Sequence, residues 1–349
     1  MSKHMNTQTG VVGPPDDQPP EQAGAAEGKL LATNFGYTGS AVLDAALELG
    51  VFDKFDGEAK TPESVAEGAD WSPEATRRLF GALEQLDLLS RADERGYLVP
   101  VHVFELLTTH TRQSIAGHLR AVYAARTSWE GLAETVRSGR RVDRLGSLAT
   151  RAQSVDFFVR GGTQLLNDAR QVAALSADTS AETVVVLYAT GGEWALAQAE
   201  AAEHRRVYAV DTSEFLDRGR QLIENSPVAD RITLVPSPPG VQSHPINAQL
   251  VLVPPILRFL DDESAHQALT GAVDSLAPDG DLLLVDVVSD PEAQHQAPIP
   301  MLNLSLLLNT PAGGVRTMSY YRDTLERLGA QVTGAENLGL LTVVRCKRR

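Results

Sequence analysis

The sequence predicts a doubly wound α/β domain behind a helical amino-terminal domain, on three observations. From about residue 183, β-branched apolar runs alternate with helical stretches: strand 184–189, helix 193–203, strand 206–210, helix 213–225, strand 231–235, strand 249–253, helix 263–276 and strand 281–287. Such alternation needs crossover helices, and so a mostly parallel sheet covered on both faces. Upstream of residue 178 the apolar residues recur instead at three- and four-residue spacing, the period of a helix with one buried face. The third observation is the turn Ala189-Thr190-Gly191-Gly192, which joins an apolar β-branched strand to an Ala/Leu-rich helix. That is where such a domain opens its ligand crevice.

Each element follows in order. Residues 1–28 are rich in Pro, Gly, Gln, Asp and Glu and nearly devoid of large apolar side chains, which predicts a disordered tail. A domain over 29–101 begins with a packed helix carrying Leu30, Leu31, Phe35, Val42, Leu43 and Leu47, and Gly50 ends it. Thr61-Pro62 and Ser72-Pro73 are N-cap and first-turn pairs heading helices near 62–68 and 73–87. Short strands at 88–91 and 96–99 then flank a polar turn, giving the order of a winged helix. A DNA-reading helix should be clearly basic, whereas helix 73–87 sets Glu74, Glu84 and Asp87 against Arg77 and Arg78. Packing and self-association are therefore the expected role. Residues 102–178 read as a helical connector and cleft lid, and 179–349 as the α/β domain, ending in helices 300–309 and 318–328 and an antiparallel strand pair.

Composition narrows the partners. The net charge is −14, which opposes nucleic acid and anionic membranes at long range and leaves a small molecule as the expected ligand. The one cysteine, Cys346, excludes a disulfide framework and a cysteine metal site, so no metal and a reducing cytoplasmic setting are expected. No apolar run reaches the roughly 20 residues of a membrane span.

The chain from about residue 30 resembles the two-domain class I S-adenosylmethionine-dependent O-methyltransferases of natural-product pathways. The likeness is carried by Ala45-Ala46-Leu47-Glu48-Leu49-Gly50-Val51-Phe52-Asp53, Thr76-Arg77-Arg78-Leu79, Leu86-Asp87-Leu88-Leu89, Trp129 with Val136-Arg137-Ser138-Gly139-Arg140, Leu260-Asp261-Asp262-Glu263, Leu276-Ala277-Pro278-Asp279-Gly280 and Gly313-Gly314-Val315-Arg316-Thr317, in that order. It implies a Rossmann-like domain with a mostly parallel seven-stranded sheet, a winged-helix dimerisation domain and a homodimer. Pairing with a homologous methyltransferase is the other partner it allows.

The departures from the family pattern cluster at one place. Where the family has an acid followed by Gly-x-Gly-x-Gly, this chain has Tyr188, Thr190, Gly192 and Trp194. Trp194 is expected to intrude on ligand space. Asp211 matches the acid that receives the ribose hydroxyls, but Pro236-Ser237-Pro238-Pro239-Gly240 replaces the usual Gly-Asp-Phe after the third strand. Arg258 stands where the family's catalytic histidine would be, and arginine stays protonated, so it binds an anion or polarises a carbonyl instead of removing a proton. The expectation is a tailoring enzyme that uses no cofactor and catalyses a cyclisation, rearrangement or elimination. Arg258, His118 and Arg160 are its expected catalytic residues. Tyr188, Glu193, Trp194, Trp129, Asp156, Phe157 and Asn303 are expected to line its substrate cleft. The alternatives are an O-methyltransferase with an atypical pocket, holding S-adenosylmethionine on Gly191, Gly192 and Asp211, and a noncatalytic partner of an active relative.

Overall fold

The computed structural model describes residues 20–93, 96–111, 113–139, 162–238, 245–289 and 298–349. Two compact units divide between Val99 and Pro100. Arg160, Asp156 and Phe157 lie outside the described residues.

The first unit opens with α1 (Pro20–Glu48), which starts inside the stretch expected to be a tail. Alanine and glutamate in Glu21-Gln22-Ala23-Gly24-Ala25-Ala26-Glu27 are strong helix formers, and that propensity outweighs the lack of apolar anchors. α2 (Pro62–Ala69) and α3 (Pro73–Gln85) begin as the sequence predicts. The Thr61 side chain accepts from Ser64 N at 3.1 Å and the Ser72 side chain from Ala75 N at 3.4 Å, each supplying a partner to an otherwise orphaned helix amide. β1 (Ser90–Arg91) and β2 (Tyr97–Leu98) pair antiparallel. Phe52, Phe55, Phe80, Leu83, Leu89 and Tyr97 form the small core, with Phe80 edge-on to Tyr97 at 5.4 Å. Arg77 pairs with Glu63 and Glu74, and Arg78 with Glu74. The arginines of α3 are thus engaged with carboxylates of their own unit.

The second unit begins with α4 (Val101–Leu107), α5 (Ala116–Ala124), α6 (Leu132–Ser138) and α7 (Gly162–Ala174), and Gly139 ends α6 at φ 67°, a left-handed cap that suits glycine. Next in chain order are β3 (Thr183–Leu187), α8 (Glu193–Ala201), β4 (Arg206–Asp211), α9 (Ser213–Glu224), β5 (Ile232–Pro236), β6 (Ala248–Val253), α10 (Asp262–Asp274) and β7 (Leu276–Asp286). The unit closes with β8 (Val288–Ser289), α11 (Ile299–Asn309), β9 (Arg316–Thr317), α12 (Met318–Arg327), β10 (Ala330–Leu338) and β11 (Leu341–Arg348). Seven strands form one sheet in the order β10-β11-β7-β6-β3-β4-β5. β7, β6, β3, β4 and β5 run parallel, and the last two strands are antiparallel.

Strand residues alternate between two cores, as pleating requires. Val184 and Val186 join α7 and α8 on one face, while Val185 and Leu187 join α10 and α12 on the other. The chain leaves β3 toward β4 on one side and returns to pair β6 on the other. The carboxyl ends of β3, β4 and β6 therefore bound the crevice where doubly wound sheets bind ligands.

Candidate active site

The loop after β3 keeps the backbone of a glycine turn with other side chains. Tyr188, Thr190 and Gly192 have φ of 56°, 52° and 88°. Positive φ in a β-branched threonine is an outlier that costs on the order of 1 kcal/mol or more, so other contacts must hold it. Thr190 N donates to Asp211 Oδ2 at 2.9 Å and Thr190 Oγ1 to Ala189 O at 2.9 Å. The other Asp211 oxygen accepts from Thr212 N at 2.7 Å. α9 presses on the same loop: a Cβ on Gly219 would lie 2.1 Å from Gly191 O. Burial, together with the nearby Asp211 carboxylate, drives the Tyr188 phenol far above its usual range, so it stays protonated.

Glu193 opens α8 and is 4% exposed. Its carboxyl packs on the loop so closely that a Cβ on Gly191 would be 2.6 Å from Oε1. Desolvation pushes its pKa up to about 7, opposed by its own backbone amide, the Thr190 hydroxyl and the Gly191 amide. Trp194 corrects the sequence expectation. It is 1% exposed and belongs to the core cluster with Ala169, Val172 and Ala173 of α7. One position along the helix turns the indole away from the crevice and into the layer between sheet and α7, where such a ring buries about 150–250 Å².

A cavity of about 340 Å³ lies within the second unit, near the low end of the range for small-molecule sites. Val122, Ala125, Trp129, Leu165, Phe259, Leu302 and Leu306 make it largely apolar, and His118, Arg258, Ser305, Asn309 and Thr310 supply its polar groups. Arg258, expected to bind an anion, is paired within the protein. Its Nη1 donates to Asp286 Oδ1 at 2.9 Å and to Pro255 O at 2.7 Å, and its backbone N donates to Asp286 Oδ2 at 3.1 Å. Asp286 is fully buried at the end of β7 and also accepts from Tyr321 Oη at 2.9 Å and Val287 N at 2.8 Å. The guanidinium stacks over Phe259 at 4.7 Å, and its Nε is buried without a partner. Carboxylate, phenol and backbone thus fix a cation at the cavity wall. Burial lowers the pKa of His118, favouring a neutral imidazole able to accept a proton.

Of the sequence-expected residues, the cavity brings together His118, Arg258 and Trp129. Tyr188, Gly191, Gly192, Glu193 and Asp211 form the separate loop site. Asn303 stands outside both, its Oδ1 accepting from Val315 N at 2.8 Å to tie the segment after α11. Sequence reasoning missed Asp286, Tyr321 and Asn309. Asn309 is 4% exposed, and its Nδ2 donates to Ser305 O at 2.8 Å. A carbonyl only accepts, so that contact fixes the amide orientation and leaves Oδ1 buried without a partner. Asn309 had a weak signal in the sequence, a polar residue closing an otherwise apolar helix. Asp286 had less, because acids at strand ends are common. Among the described residues no cluster of three or more metal-ligating side chains occurs, and no helix is long and apolar enough to cross a membrane.

Comparison with known proteins supports the fold. The O-methyltransferase dimerisation domain matches residues 31–118. The 3-amino-4-hydroxybenzoate 4-O-methyltransferase of Streptomyces cremeus is 26% identical over 93% of this chain and 89% of its own length. The aclacinomycin 10-hydroxylase RdmB of Streptomyces purpurascens is 28% identical over 86% of this chain and 83% of its own. The structure of human N-acetylserotonin methyltransferase in complex with SAM superposes with a TM-score of 0.76 at 20% identity, covering 95% of this chain and 99% of that one. Over most of its length the chain is thus similar to the two-domain class I O-methyltransferases, whose dimerisation domain it matches.

Proposed function

We propose that this chain is a natural-product tailoring enzyme that binds a largely apolar, carbonyl- or oxyanion-bearing small molecule and catalyses a step other than methyl transfer. The observation that carries the reading is Arg258, held at the cavity wall by Asp286, which Tyr321 also grips, and the resemblance implies that this is the family's proton-abstracting position. A fixed cation stabilises charge developing on a substrate oxygen, and the neutral His118 in the same cavity is suited to take a proton. Together they suit cyclisation, rearrangement or elimination next to a carbonyl. Asn309 Oδ1 offers an acceptor to a substrate hydroxyl or N–H. That a relative is a hydroxylase makes chemistry beyond methylation plausible on this scaffold.

The loop as arranged does not fit S-adenosylmethionine. Glu193 fills the space on Gly191, Tyr188 replaces an acid, and the described residues after β5, Ser237 and Pro238, supply no carboxylate for an adenine amino group. The second reading, an O-methyltransferase with an atypical pocket, is favoured by the retained Asp211, the positive φ at Thr190 and Gly192, and the removal of Trp194 from the crevice. We further infer a homodimer formed through the amino-terminal domain, in place of pairing with a second methyltransferase, acting in the cytoplasm.

The first reading is tested with 2-naphthoate, titrated while the tryptophan fluorescence of the chain is followed, Trp129 being the indole at the cavity. Arg258→Met should weaken binding by about tenfold or more, the loss of a charge-assisted contact. Equal affinity in the variant would remove Arg258 from ligand recognition and take the proposal with it.

A further inference from the structure

Three backbone donors of the crevice loop are engaged within the protein. Ala189 N donates to Val210 O at 3.2 Å, Thr190 N to Asp211 Oδ2 at 2.9 Å and Gly192 N to Ala189 O at 2.9 Å. The Glu193 carboxyl lies over Gly191, where an added Cβ would be 2.6 Å from Oε1, and receives the Thr190 hydroxyl at 3.5 Å. In a ligand-binding turn before a helix, the loop amides are the groups that meet an anionic or polar ligand atom. Here a side chain of the same chain fills that place.

We propose that Glu193 is a built-in occupant of the crevice loop, so that any carboxylate-bearing nucleoside ligand must displace it before the loop can bind. Three observations support displacement over permanent closure. The carboxyl is almost wholly desolvated, and among the described residues no cationic side chain forms an ion pair with it. Its longest-range contact, to Thr190, is weak at 3.5 Å. It sits at the free end of a flexible side chain, and moving it leaves the Asp211–Thr190 tie intact. The cost of holding an unpaired carboxyl out of water makes Glu193 a weak occupant that a better-matched ligand can replace.

The probe is S-adenosylhomocysteine, whose amino-acid end carries a carboxylate, titrated calorimetrically into the full chain as wild type, Glu193→Ala and Glu193→Gln. Glu193→Ala should bind about tenfold or more tightly than wild type, because the carboxyl that fills the space over Gly191 is gone. Glu193→Gln fills the same space with a poorer acceptor and should fall between them. If both variants melt cooperatively and neither binds more tightly than wild type, the proposal is overturned. If Glu193→Ala fails to fold, Glu193→Gln decides by the same comparison. The affinity ratio is independent of the catalytic reading: a wild type that transfers methyl groups defeats that reading and leaves the ratio to be judged alone.

Discussion

At the scale of single residues, two buried acids behave in opposite ways. Asp286 is surrounded by donors: Arg258, Tyr321 and two backbone amides all face it. Removing it strands a largely buried guanidinium, and breaking such a pair costs roughly 3–5 kcal/mol. Asp286→Ala should therefore lower the denaturant midpoint by far more than Tyr321→Phe, which loses one hydrogen bond worth about 1 kcal/mol. Equal losses would mean that the network does not hold Arg258. Among the described residues no cationic side chain pairs with Glu193, while Asp211 lies across Thr190 and Tyr188 lies next to Asp211. The folded pKa of Glu193, about 7, stands above the ordinary 4.5. The folded state thus binds the proton more tightly, and the stability this gives is complete below about pH 4.5 and lost as pH rises through about 7. Subtracting the stability–pH curve of Glu193→Gln from that of wild type should isolate this decline, and a flat difference would place the carboxyl in solvent.

At the scale of elements, packing distances set what the loop tolerates. α9 approaches so closely that Gly219→Ala would drive a methyl group into Gly191 O. Overpacking of this kind typically costs 1–3 kcal/mol, and the expected result is a lowered melting temperature with the loop released from α9. Unchanged melting would show that the helix shifts freely. The elements themselves were legible in the sequence. β-branched runs gave β3, β4 and β6, and Thr-Pro and Ser-Pro pairs gave the starts of α2 and α3. The direction of Trp194 was not legible. Family spacing aligned it with a glycine beside the ligand, yet its place in the first turn of α8 faces it toward α7. Nor could sequence pair Arg258 with Asp286, because the partner arrives from the end of β7, 28 residues away. α1 extended past its expected start because propensity alone can sustain helix where no core residue marks it.

At the scale of the whole molecule, the chain combines a match to a dimerisation domain with an α/β domain built on a seven-stranded sheet. α1 exposes Leu30, Leu31, Phe35 and Tyr37, an apolar surface suited to a second copy. Sedimentation should give a dimer, and Leu31→Glu with Phe35→Glu should yield folded monomers; a monomeric wild type would refute the inferred dimer. The net charge of −14 adds repulsion between copies, so dimerisation should tighten with salt. The central claim is that the family's cofactor chemistry has been replaced by chemistry at Arg258, and calorimetric titration of the wild-type chain with S-adenosylmethionine tests it most directly. The account predicts no binding tighter than the millimolar range, about −4 kcal/mol. Micromolar binding together with methyl transfer to a phenolic acceptor would contradict it.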